Sequence, residues 1–140
     1  MSETPPNSKT GAPPEASPYE RLGGDAVVRA LVDAFYDYMD TLPEAMTIRA
    51  MHPSDLTESR DKLYWFLSGW LGGPPMFVER RGHPRLRARH FPFAVDAEAK
   101  RAWMRCMEKA LVDVVKDPAL IAMVHEPLDR LADHMRNQPQ

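Results

Sequence analysis

Cysteine is nearly missing from this chain of 140 residues: Cys106 stands alone. An internal disulfide and a cysteine-rich zinc cluster are thereby excluded, in keeping with a reducing, cytoplasmic setting. No apolar run approaches the roughly 20 residues that span a bilayer, and the opening MSETPPNSKTGAPPEASP lacks the hydrophobic stretch of a secretory signal. An excess of one charge is missing too. The formal net charge of −2 argues against wholesale nucleic-acid binding, leaving only local patches to consider. No HExxH, P-loop or GxGxxG pattern occurs, which removes several enzyme classes. Nothing alternates with the period of a strand, and there are no internal repeats.

What is present suits one globular domain, with 44% hydrophobic and 27% charged residues. Residues 1–18 hold five of the fourteen prolines and no aliphatic residue larger than Ala after Met1, which predicts a disordered leader before a folded domain over 19–140. Gly23-Gly24-Asp25 supplies a turn and a cap. Val27, Val28, Leu31, Val32, Phe35 and Met39 then mark the buried stripe of a helix from Ala26 to Asp40. A short helical piece follows over Pro43 to Met51, with His52 at the corner before Pro53.

Asp55 is placed to cap a helix that carries Ser59, Leu63, Phe66, Leu67 and Trp70 on one side and stops at Gly72-Gly73-Pro74-Pro75. The segment MFVERRGHPRLRARHFPF reads as a loop with a short helix between Pro84 and His90. Asp96 caps a helix whose stripe is Ala99, Trp103, Cys106, Met107, Ala110 and Val114. Asp117-Pro118 opens the last, carrying Leu120, Ile121, Val124, Leu128, Leu131 and Met135, with Pro127 expected to kink or divide it. The fold class is all-α.

Five histidines, at 52, 83, 90, 125 and 134, are the neutral nitrogen ligands on offer. Cys106, in a helix interior beside Trp103 and Met107, reads as buried and inert rather than nucleophilic. A haem site needs one protein nitrogen for iron, an apolar slot and cations for two propionates. The stretch from Leu86 to Phe93 offers all three, yet by itself it leaves His90 open to a second reading, a loop histidine packed on Phe93. The arginines at 80, 81, 85, 87 and 89 are open to two readings as well, a propionate rim or a nucleic-acid patch. The near-neutral chain and the lack of a recognition-helix motif count against the patch.

The order of motifs from Tyr19 onward resembles the group II truncated haemoglobins, the small two-over-two helical globins. YERLGG corresponds to that family's opening with its first glycine pair, Phe35-Tyr36 to the aromatic pair of its second helix, and LGGPP at 71–75 to its second glycine motif. RRGHPRLRARHFPF corresponds to the segment with the proximal histidine, and AW followed by MRCM at 102–107 to the helix with the characteristic tryptophan. The resemblance covers about 120 residues.

It implies haem b (iron protoporphyrin IX) with His90 as the metal ligand, and Tyr36, Trp103 and His52 as groups near the diatomic ligand. Ser59 falls where larger globins carry a histidine or glutamine gate. It is too small to span the pocket, which leaves an open access path and room for a water. Arg89 and His83 become the propionate contacts. Phe35, Leu63, Phe66, Leu67, Phe77, Leu86, Phe93 and Met107 become apolar wall, a description that generic core fits equally. The implied function is binding of oxygen, nitric oxide or carbon monoxide. Nitric oxide dioxygenation or peroxide reduction would each need an external electron donor. A sensor or carrier without turnover, and a haem-free helical module using the arginine loop, are the alternatives. No signature decides between monomer and homodimer.

Overall fold

The computed structural model describes residues 16–90 and 92–137. The greater part of the predicted leader, residues 1–15, lies outside the described residues. Ser17 and Pro18, assigned to that leader, instead begin the first helix. α1 (Pro18–Leu22) opens on a capping box: the Ser17 hydroxyl accepts from the Glu20 N–H, and the Glu20 carboxylate accepts from the Ser17 N–H. The S-x-x-E signal was there to be read. Gly23 closes the helix at φ 119°, a left-handed conformation that favours glycine.

α2 (Asp25–Thr41) follows, with Val28, Leu31, Val32, Phe35 and Met39 buried as the spacing predicts. Asp25 is its first residue rather than its cap, and its carboxylate accepts from the Tyr64 hydroxyl. A 3-10 turn (Pro43–Ala45) leads into α3 (Met46–Ala50). In α4 (Thr57–Trp70) the Asp55 carboxylate takes the Thr57 N–H from just outside the helix, a local turn rather than a cap.

Two short helices, α5 (Met76–Arg81) and α6 (Leu86–His90), replace the single one expected. α5 is too short to display a period, so its sequence did not announce it. α7 (Ala97–Val114) is capped by Asp96, whose carboxylate accepts from the Ala99 N–H. α8 (Pro118–His134) runs as one helix through Pro127, so the expected division does not occur.

α2 packs on α4, α7 packs on α8, and α2 against α7 joins the two pairs. This is the two-over-two arrangement, all-α among the described residues. The core centres on Phe35, Leu31, Met39, Leu67, Met107 and Leu111, each almost fully buried. Burial of one such side chain stabilises by about 1.5–3 kcal/mol. The two glycine motifs meet: the Tyr19 N–H donates to the Leu71 carbonyl at 2.9 Å, and a Cβ on Gly73 would stand 2.5 Å from the Tyr19 ring. Only glycine permits that approach.

One face departs from simple core packing. Ser59, Leu63 and Phe66 on α4 are half-buried, whereas Tyr64, Leu67 and Ser68 are buried. The predicted stripe of α4 turns toward empty space. Leu131 and Met135 of the α8 stripe are half-buried for the same reason.

Candidate functional site

The space enclosed by these helices is a cavity of about 860 Å³, within the size range of small-molecule and cofactor sites. Tyr36 reaches it from α2, His52 from the turn after α3, and Ser59, Leu63, Phe66 and Leu67 from α4. Phe77 comes from α5, Leu86, Arg89 and His90 from α6, Phe93 from the turn beyond, and Trp103 from α7. Residues spread over most of the sequence thus share one wall.

Three residues expected there are placed elsewhere. Phe35 is fully buried behind the wall, its ring 4.9 Å from that of Tyr36 and 4.8 Å from that of Trp103. It braces both. Met107, one turn beyond Trp103, is fully buried core. His83 is exposed between α5 and α6, its Nδ1 accepting from the Arg85 N–H at 3.1 Å. The sequence reading did not single out two cations on the wall, Lys62 and Lys100, and gave Leu128, Leu131 and Met135 of α8 no place in the site. Lys62 lies three residues from Ser59 and four from Phe66, and Lys100 three from Trp103. Helical spacing could have found both.

The hydrogen bonds fix the chemical state of the polar groups. His90 Nδ1 lies 2.7 Å from the Leu86 carbonyl oxygen. A carbonyl only accepts, so Nδ1 carries a hydrogen, and in the neutral ring the lone pair is left on Nε2. His52 repeats the device, with Nδ1 2.8 Å from the Ile48 carbonyl. Burial, reinforced by Arg49 and His90, lowers the pKa of His52 against the opposing pull of that carbonyl, which favours the neutral ring. Burial raises the Tyr36 pKa far above its ordinary value, with Arg60 opposing, so the phenol keeps its hydrogen and is a donor. Among the described residues, neither the Tyr36 hydroxyl nor the Trp103 indole N–H makes a hydrogen bond to protein. Both side chains line the cavity, so these donors are available to whatever it holds.

Charge gathers at the rim. Lys62 pairs with Glu58 at 3.4 Å, Glu58 also takes Arg81 at 3.1 Å, and Lys100 pairs with Asp129 at 2.9 Å. Arg89 is exposed, with its guanidinium 5.4 Å from the Phe77 ring centre and its Nε donating to the Pro84 carbonyl. No carboxylate among the described residues pairs with it.

The bacterial-like globin family model matches residues 17–137. The chain belongs to that family. Within it, this globin is 39% identical over 124 residues to the group 2 truncated hemoglobin YjbI of Bacillus subtilis (strain 168), covering 89% of this chain and 91% of that relative. Among solved structures it is similar to the group II 2-on-2 hemoglobin of Agrobacterium tumefaciens, with TM-score 0.86 and 44% identity over 91% of this chain and 99% of that one. It is also similar to the truncated oxygen-avid haemoglobin of Bacillus subtilis, with TM-score 0.80 and 38% identity over 87% and 100% of the two chains. The globin therefore takes its place among the group II truncated haemoglobins, and the haem-free alternative gives way.

Haem b is the group that such a globin carries, and the residues present fit it. No group of three or more His, Cys, Asp or Glu able to hold a bare metal ion occurs among the described residues. A porphyrin brings four nitrogens of its own and asks the protein for one more. An apolar cavity with imidazoles held by their Nδ1 hydrogens, unpartnered donors and a rim arginine without a carboxylate meets that demand. No helix of the described residues is long and apolar enough to cross a membrane.

Proposed function

We propose that this globin binds oxygen and other diatomic ligands at a haem iron held by His90 Nε2. One observation carries the reading: the imidazole lone pair of His90 and the unpartnered donors of Tyr36 and Trp103 belong to the same cavity. When bound, haem supplies a redox-active iron with an open coordination position for a small ligand.

The chain's own residues would do the rest. His90 donates its Nδ1 hydrogen to the Leu86 carbonyl, which holds the ring's orientation and raises its basicity as a ligand. Tyr36 and Trp103 offer hydrogens to a polar diatomic ligand, and Phe35 holds both rings in place. Leu63, Phe66 and Leu67 exclude water. Arg89 faces the cavity mouth as a partner for a propionate.

Each donor contributes about 0.5–1.5 kcal/mol to holding the ligand, so release is slow. Slow release suits tight binding, sensing or redox chemistry on the ligand better than bulk delivery. The description of the Bacillus subtilis relative as oxygen-avid supports the tight-binding reading. Nitric oxide dioxygenation or peroxide reduction would draw electrons from an outside donor.

The test is the absorption spectrum of the haem-loaded protein beside that of His90→Ala. Wild type should retain haem through gel filtration. His90→Ala should lose it and recover a comparable spectrum only with added imidazole. Retention with an unchanged spectrum would assign the iron to another group. Measured conversion of nitric oxide to nitrate, with re-reduction by a cellular donor, separates an enzyme from a carrier or sensor.

A further inference from the structure

α6 carries the proposed iron ligand, yet it is the least supported element of the fold. It has five residues, and none of them is buried. A helix of that length has no stability of its own, because nucleation is not repaid by propagation. The Leu86 bond fixes the His90 ring relative to α6. Something else must fix α6 relative to the body of the protein.

One side chain from beyond the last helix does so. The Asn137 amide donates its two hydrogens to the carbonyls of His90, at 3.2 Å, and Phe93, at 2.9 Å. Its Oδ1 accepts from the Val95 N–H at 2.9 Å, and its backbone N–H donates to the Val95 carbonyl at 2.8 Å. All four bonds end on residues 90–95. The His90 carbonyl, one of the acceptors that a helix end leaves without an internal partner, also takes the Phe93 N–H at 3.0 Å. Arg87 adds a longer contact from α6, at 3.4 Å to the His134 carbonyl at the end of α8.

We infer that Asn137 is a positioning residue for the iron ligand: it ties the His90 main chain to the end of α8 and so sets the direction from which the imidazole enters the cavity. The inference rests on the reading of His90 as that ligand. Two anchors then define the ring, Leu86 from within α6 and Asn137 from outside it. An amide is the side chain this place requires, since it presents two donors and an acceptor at once. Asp keeps the acceptor but turns a second one toward two carbonyls. Ala keeps neither. Asn137 is half-buried and lies past the core helices, so its loss should loosen the 90–95 turn without unfolding the domain.

The experiment uses the full, haem-loaded chain with Asn137→Ala, Asn137→Asp and Asn137→Gln. Three quantities are read: the ferrous iron–histidine stretching band in resonance Raman, the rate of haem transfer to excess apomyoglobin, and the thermal unfolding midpoint of the apoprotein. Asn137→Ala should shift or broaden the band and speed haem loss about tenfold, with the apoprotein midpoint unchanged. Asn137→Asp should lose haem faster still, and Asn137→Gln should return the band toward wild type. In a His90→Ala background supplied with imidazole, the ligand is untethered, so adding Asn137→Ala should leave the iron–imidazole band where it was.

An unmoved band in Asn137→Ala overturns the inference, whatever happens to haem loss. So does a shift that persists in the imidazole background. If His90→Ala itself retains haem with an unchanged spectrum, the ligand reading has failed instead. The two failures are therefore distinguishable.

Discussion

His52 and His90 line the same cavity in the same tautomer, each giving its Nδ1 hydrogen to the carbonyl four residues earlier, Ile48 at 2.8 Å and Leu86 at 2.7 Å. The consequence for His52 is that its Nε2 can only accept. It stands beside Tyr36, the two ring centres 5.9 Å apart and nearly perpendicular. A neutral His52 of this tautomer competes for the Tyr36 hydrogen rather than adding a donor of its own.

Opposite responses are therefore expected from two neighbouring substitutions. With Tyr36 as a donor to the ligand, Tyr36→Phe should speed oxygen release about tenfold. His52→Phe removes an acceptor and should not speed release at all. Stopped-flow displacement of oxygen by carbon monoxide reads both. An unchanged release rate in a Tyr36→Phe/Trp103→Phe double variant would remove the donor account.

Ser59 is half-buried on the cavity wall, with Glu58 and Lys62 beside it at the rim. A ligand path past its short side chain is the reading this position suggests. Ser59→Gln should slow ligand entry severalfold and introduce a donor that also slows release. Flash photolysis of the carbon monoxide complex measures entry alone. An association rate equal to that of wild type would place the path elsewhere.

The Cys106 thiol is fully buried, and burial, aided by the charge of Glu44, pushes its pKa up to about 11. At pH 8 the thiolate is then roughly one part in a thousand, against about a quarter for an ordinary free cysteine. Alkylation by iodoacetamide should be negligible in the folded protein between pH 7 and 8 and should appear once denaturant exposes the thiol. Prompt modification under native conditions would show that the α7 face opens locally.

Much of the fold could be read before any coordinates. The helices α2, α4, α7 and α8 announce themselves through apolar spacing, and Asp96 and Asp117 mark the starts of the last two with carboxylates that do take first-turn N–H groups. The all-α class followed from that spacing, and the relation to globins from the order of glycine, aromatic and basic motifs. The α5 helix did not, because six residues cannot display a period. Local sterics at Pro127 allow a kink or a division, and α8 continues through it undivided.

The candidate site was legible to a lesser degree. Identity along the chain named His90, Tyr36, Trp103, His52 and Ser59, but periodicity cannot tell a side chain that faces packed core from one that faces a cavity. Both are apolar at the same spacing. Hence Met107 and Phe35, which fit wall or core equally by spacing, lie in or behind the core, while Leu131 and Met135 of the α8 stripe lie on the wall.

The sequence by itself determined which segments become helices, where most of them stop, and which imidazole stands among arginines and aromatics, because those properties depend on neighbours a few residues away. Only the tertiary structure decided the tautomers of His52 and His90, the unpartnered state of Tyr36 and Trp103, and the four bonds from Asn137 to the turn that holds His90. The tautomers turn on bonds only four residues long, at the ends of short helices too brief to show a period; the rest depends on where distant segments meet, and a hydrogen bond across 47 residues leaves no local pattern to read.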